Sequence, residues 1–313
     1  MDKKLHYRGR FSQIWIYLGK FLRMFVYQND WKVLPMAALI SGLVAFVVGG
    51  NLFRTQEGTL MGCFSLVCVC VWNGFFNSIQ SVCRERAIIK REHRTGMHIS
   101  SYIIAHMIYQ MFLCLAQTVI LLIVCDRTGV YFPTKGLITD WFMLDLGISM
   151  FLVTYASDML SLVISSIVHT TTTAMTMMPF MLIFQLLFSD GMVHLEGAAK
   201  KLCKITITNW GLNIFCALGD YNSLPMVTLW NTIWKFRSLD VDGQKPIKIM
   251  TDYILKNGSR EEILLESGKY NTVAAYASTR ENVLLGWGVL IAMTIIFALA
   301  SMILLEFIDN DKR

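Results

Sequence analysis

The chain has 313 residues, is 55% hydrophobic and only 16% charged, and carries a formal net charge of +6. Soluble domains carry about 25% charged residues, so this composition excludes an ordinary soluble enzyme and indicates an integral membrane protein. The basic excess sits in the N-terminal arm and one central segment, without the basic-aromatic pattern of a nucleic-acid surface.

Residues 1–10 are polar and basic and lack the apolar core of a signal peptide. In residues 11–30, Phe11, Ile14, Trp15, Leu18, Phe21, Leu22, Phe25 and Val26 recur at helical spacing, with Gln13, Lys20, Arg23 and Gln28 between them. The spacing predicts a basic amphipathic helix lying in the membrane interface. An amphipathic helix packed on protein has the same periodicity.

Crossing a bilayer takes about 20 apolar residues. Runs of that kind predict membrane spans at 33–53, 59–82, 101–125, 139–167, 173–190 and 282–306, which puts both termini on one side. The second span carries Trp72, Asn73, Asn77 and Gln80 near its end. Polar side chains in a span face the bundle interior, a partner or a pathway. Between the second and third spans lies 84–98, with Arg84, Glu85, Arg86, Lys90, Arg91, Glu92, Arg94 and Gly96. A segment so charged lies in water, and its Lys/Arg excess makes that water cytoplasmic. A short helix there is open to a soluble partner, although a solvated positive-inside loop has the same composition.

The third span holds His106, Gln110 and Gln117, which suit helix-to-helix hydrogen bonds. They are too few imidazoles for a metal site. The fourth holds Asp145 near one end and Asp158 well inside, among Ser157, Ser161 and Ser165. An intramembrane carboxylate marks function or a structural hydrogen bond, and both readings stand. The fifth carries Pro179, which is expected to kink it, and the apolar residues Met177, Phe180 and Phe184. Met-rich surfaces suit adaptable apolar ligands as well as packing. Residues 191–281 form an external region, with a helix, a turn at Asn257-Gly258 and another helix. Its polar part is too small for an independent domain. Most of the eight cysteines lie in apolar runs, and no C-x-x-C marks a redox or zinc pair.

Glu85-Arg86, Arg91-Glu92, Gly96 and Ser101-Tyr102 follow one another in the order of a known motif. It resembles the coupling segment in membrane domains of ABC exporters of the G subfamily, the type-2 ABC transporter permeases. The run from Trp72 to Gln80 that leads into it is similar to the bacterial branch of that family, and Trp210-Gly211-Leu212-Asn213 resembles its segment near the outer surface. The resemblance covers essentially the whole chain. It implies an all-α polytopic fold with an interfacial connecting helix, six spans, a coupling helix at 84–98 and a helical re-entry before the last span.

The same resemblance implies a permease subunit in the cell membrane, with cytoplasmic termini and amphipathic, lipid-like or drug-like cargo. Two copies, identical or not, would enclose a pathway lined by the second and fifth spans, with Asn73, Asn77, Asp158, Met177, Phe180 and Phe184 as candidates. Arg84, Glu85, Arg86, Lys90, Arg91, Glu92, Arg94 and Gly96 would couple it to an ATPase. The 313 residues contain no G-x-x-x-x-G-K-[ST], so ATP and Mg are expected on a separate ATPase subunit and no cofactor on this chain. No motif assigns a catalytic residue or metal ligand. Two alternatives are an intramembrane lipid-acting enzyme using Asp145, Asp158 and His106, and a membrane sensor binding a ligand through 221–281.

Overall fold

The computed structural model describes residues 9–28, 30–48, 50–189, 191, 197–240 and 244–307. All regular elements among the described residues are helices: α1 (Arg10–Tyr27), α2 (Val33–Val48), α3 (Gln56–Ser78), α4 (Ser81–Arg94), α5 (Ile99–Arg127), α6 (Phe142–Ile167), α7 (Thr171–Leu187), α8 (Ala198–Cys203), α9 (Ile207–Leu218), α10 (Thr228–Lys235), α11 (Pro246–Lys256), α12 (Arg260–Lys269) and α13 (Arg280–Glu306), with short 3-10 turns between some of them. The chain is a polytopic helical membrane protein. Among the described residues, five helical segments are long and apolar enough to cross a bilayer: Asp30–Val48, Gln56–Arg94, Ile99–Arg127, Phe142–Ile167 and Arg280–Glu306.

α6 is the hub and packs against α3, α5, α9 and α13. Its hydroxyls would be costly in hydrocarbon if left unpaired. Most bond back to their own helix: Thr154 to the Met150 carbonyl, Ser157 to Val153 and Ser166 to Leu162, at 2.8–2.9 Å. The α3–α6 crossing is close because Gly74 has no side chain. A Cβ there would overlap the Thr154 carbonyl oxygen and lie 2.8 Å from the Asp158 backbone nitrogen. Small residues permit such backbone approach between membrane helices. Gly74→Ala is therefore expected to destabilise the bundle by about 2 kcal/mol, read as a lowered melting temperature in detergent. Gly288→Ala is the control, since nothing lies within 4 Å of a Cβ at that position.

Several element boundaries differ from those read off the hydropathy. The first span ends at Val48 and not at 53: residues 50–55 turn, and Phe53 takes φ 57° with its N–H donated to Thr59 Oγ1 at 3.0 Å. The second span begins at Gln56, because Thr55 caps the helix by accepting from the Gly58 N–H at 3.2 Å. It stops at Ser78, four residues before the expected 82. The chain re-starts as α4 with the Val82 and Cys83 N–H groups donated to Ser165 Oγ at 3.1 and 3.2 Å. The run expected as the fifth span forms the helix Thr171–Leu187, 17 residues and thus about 26 Å long, shorter than the five long segments. It stays helical through Pro179, and Thr170 caps its start.

The region 191–281 is not one external layer. α9 is buried in the bundle against α3, α6 and α13. Gln185 of α7 ties it in: its Oε1 accepts from the Ile207 N–H at 2.9 Å and from Thr208 Oγ1 at 3.0 Å. The start of α10 and the end of α12 stand over the N-terminal end of α3. Gln56 Nε2 donates to the Gly268 carbonyl, and Glu57 accepts from the Val227 and Thr228 N–H groups that open α10. Trp230, Ile254 and Leu264 form a small core of their own, and the turn between α11 and α12 falls at Asn257-Gly258, with Gly258 at φ 70°. Cys63, Cys68, Cys70, Cys83, Cys114, Cys125 and Cys216 carry free thiols.

Candidate functional site: the helix between the second and third spans

α4 leaves the bundle at the end opposite the α10–α12 layer and is clamped on two sides. On one side it meets the end of α6. Arg86 Nη1 donates to the Ser166 and Val168 carbonyls at 2.8 and 3.3 Å. A guanidinium at a helix C-terminus satisfies carbonyls that have no partner in the helix and complements their partial negative charge.

On the other side it meets α1. Lys20 Nζ pairs with Glu85 Oε2 at 2.9 Å, and the Tyr17 hydroxyl donates to Glu92 Oε2 at 3.1 Å. Burial and the Glu92 carboxylate push the Tyr17 phenol above its usual range, so it stays a donor. Gln13 spans the turn after α4, donating to the Gly96 carbonyl at 3.2 Å and accepting from the His98 N–H at 2.9 Å. The apolar stripe of α1 supplies the packing: Leu18 and Phe21 join Val82, Ile89, Tyr102 and Ile103 in one buried cluster. The predicted amphipathic helix is thus seated on protein along this stripe, while Phe11, Trp15 and Val26 are exposed.

Gly96 ends α4. At φ 103° its N–H meets the His93 carbonyl and the Met97 N–H meets the Glu92 carbonyl, at 3.1 and 3.0 Å. This is a Schellman turn, where the left-handed residue is usually Gly. Its role is to reverse the chain into α5.

These contacts divide the expected coupling residues. Glu85 is buried, and Arg86 and Glu92 are half-buried in bonds to α6 and α1. They hold α4 in place and are not an open docking surface. The exposed face carries Arg84, Ala87, Ile88, Arg91 and Arg94, with Lys90 half-buried beside it. Arg84 lies 3.6 Å from Asp30. A groove of about 610 Å³ runs between this face and α1, lined by Trp15, Ile16, Lys20, Arg23 and Ile88 among others. Sequence reading passes over Ile88; the signal is a large apolar side chain among the arginines of a charged helix.

The six candidate pathway residues stand in different surroundings. Asn73 and Asp158 are buried inside the bundle. Asn77 is used up by Gln117: the two amides exchange hydrogen bonds, both 2.9 Å, between α3 and α5. Met177 and Phe180 are exposed on α7, and Phe184 is half-buried, 4.9 Å from Phe188. The apolar outer faces of α3 and α7 instead present Trp72, Phe76, Met177 and Phe180.

Asp145, Asp158 and His106 do not assemble as a catalytic set. The two aspartates are 13 positions apart on one helix, about 20 Å. Asp145 is fully engaged by the loop before α6, accepting from the Leu137, Ile138 and Thr139 N–H groups and from Thr139 Oγ1 at 2.7–3.3 Å. Among the described residues no group of three or more His, Cys, Asp and Glu stands close enough to hold a metal ion.

The ABC-2 type transporter family profile matches residues 12–217, from α1 through α9. A relative from Mycobacterium tuberculosis, the ABC transporter ATP-binding/permease protein Rv1747, is 28% identical over 156 residues. That alignment takes in 48% of this chain and 18% of the relative, so the chain spans under a fifth of the relative's length. The matched segment holds the α1–α4 clamp and the bundle core except α13, and with more than half of its residues matched the chain belongs to the ABC-2 type transporter family, the membrane components of ABC-type transporters.

Proposed function

We propose that the chain is the permease subunit of an ABC exporter for an amphipathic, lipid-like or drug-like substrate, driven by ATP hydrolysis on a separate ABC ATPase subunit. The observation that carries this reading is the clamped α4 with its exposed face and adjoining groove. A partner seated between Ile88 and Trp15 would push α1 and α4 together. Arg86 and Ser165 would pass that displacement to α6, the hub of the bundle, and Gln13 and Ser101 would pass it to α5. Two copies, as a homodimer or pseudo-dimer, would form the pathway from the outer faces of α3 and α7, with Trp72, Phe76, Met177 and Phe180 at its wall. With α4 in the cytoplasm, both termini lie there too.

The test is Ile88→Asp with Arg91→Glu. Both residues are exposed, so the double variant is expected to keep its melting temperature. Recovery of ATPase on affinity purification from native membranes should fall by tenfold or more, along with transport. Full recovery and full transport would refute the docking face.

A further inference from the structure

A cleft of about 260 Å³ opens beside the clamp, between α1, α2, the α3–α4 bend, α5 and α7. Its walls are mixed: Phe21 from α1, Phe76 from α3, Leu113 from α5 and Met175 from α7 supply apolar surface, and Asn77, Gln80, Ser81 and Glu85 line the side toward the α3–α4 bend. At its mouth stand Arg84 and Asp30, the ion pair that marks the watery end. Going inward along α5, His106 and Gln110 also line it, one turn apart.

These two side chains are 2% and 1% exposed. Each carries a polar atom with no protein partner, His106 Nδ1 and Gln110 Oε1, lying just behind the cleft surface, where a small side-chain rotation would bring it to an occupant. The amide of Gln110 is oriented by its other end: Nε2 donates to Ser78 Oγ at 3.0 Å and to the Asn77 carbonyl at 3.4 Å. Its oxygen is therefore the end left to accept. His106 is held by ring packing, its centroid 5.3 Å from Phe21. Buried polar atoms without partners cost about 1–3 kcal/mol each, and a ligand that supplies a donor removes that cost.

We infer that this cleft binds a single-tailed amphiphile whose head donates a hydrogen bond, a hydroxyl or an amine, with the head between the Arg84–Asp30 mouth and Gln110 and the tail toward Leu113 and Met175. Drug-sized pockets run to about 300–1,000 Å³, so the volume suits one chain and not a two-tailed phospholipid. Such an occupant touches α1, α4 and α5 at once and would bridge the clamp to the bundle. The inference does not rest on the transport reading, because binding is a property of this chain alone.

The experiment uses the full chain in phosphatidylcholine nanodiscs and a photoactivatable long-chain alcohol with its diazirine near the hydroxyl. Adducts are expected on peptides holding Phe21, His106 or Leu113. Dodecanol should compete, and the methyl ether of dodecanol, which lacks the donor, should not. Gln110→Leu should weaken competition about tenfold, the loss of one hydrogen bond. Since Gln110 also holds Ser78, Val33→Trp at the mouth serves as the second variant: it fills the cleft and leaves that network intact. Labelling that the ether competes equally, or that both variants leave unchanged, overturns the assignment. If Gln110→Leu does not fold, Val33→Trp decides alone.

Discussion

Replacing Asp145 by alanine is expected to stop folded protein from accumulating. The carboxylate is completely buried. The loop before α6 is wrapped around it: N–H groups of Leu137 and Ile138 reach Oδ2 at 2.8 and 2.9 Å, and the Thr139 hydroxyl reaches Oδ1 at 2.7 Å. Hydrogen bonds to a charged group contribute about 1.5–3 kcal/mol each, and removing the acceptor strands its donors. The carboxylate also sits in the first turn of α6, where the helix dipole favours negative charge. The same loop anchors the last span, because Arg280 Nε donates to the Leu137 carbonyl at 2.8 Å. A loss of about 4 kcal/mol is therefore expected, close to the whole stability of many domains. Asp145→Asn keeps one acceptor oxygen but turns an amide donor toward the remaining N–H groups, so it should be intermediate. The measurement is yield and melting temperature after extraction, with exposed Asp126→Ala as control. A normal melting curve for Asp145→Ala would show that the loop holds itself.

Lys20→Met is the second large effect. It leaves the Glu85 carboxylate, 8% exposed, without its 2.9 Å partner. Breaking a buried pair from one side costs about 3–5 kcal/mol. Lys20 keeps 28% of its surface in water, so the expected loss here is about 2 kcal/mol. The double variant Lys20→Met with Glu85→Leu should recover much of it, because neither charge is then stranded. Melting temperatures of the two single variants and the double variant give the coupling directly, and strict additivity would mean that the pair does not hold α1 to α4. Reversing Glu85 and Arg86 is accordingly expected to impair transport by unseating the lever, with a lowered melting temperature. Ile88→Asp is expected to impair transport with stability intact. The two signatures separate clamp from docking face.

Much of the architecture was legible because it depends on local properties. Apolar runs long enough to cross a bilayer show in any window of sequence, and five of the six expected spans recur as long apolar helices. The Schellman turn needed a glycine, and Gly96 stands there. The turn at Asn257-Gly258 was equally local. The short helix Thr171–Leu187 was harder to delimit, since the apolar run continues through Phe188 while the helix stops where Gln185 turns to bind the start of α9.

What sequence could not decide was the partner of each polar group. Glu85 meets Lys20 across 65 positions, Glu92 meets Tyr17 across 75 and Asn77 meets Gln117 across 40. Nothing local tells a carboxylate on a two-sided charged helix whether it faces a soluble partner or its own chain. The same holds for α9, whose burial depends on α3, α6 and α13 closing around it. By itself the sequence determined that this is a membrane protein with a charged helix between its second and third spans, because hydropathy, charge and helix termination are set by neighbouring residues. Only the tertiary structure decided which of those charges clamp the helix, which face it leaves open and where an orphaned His106 and Gln110 meet in one cleft. Those outcomes turn on side chains far apart in the chain reaching hydrogen-bond distance in a medium with no water to replace them.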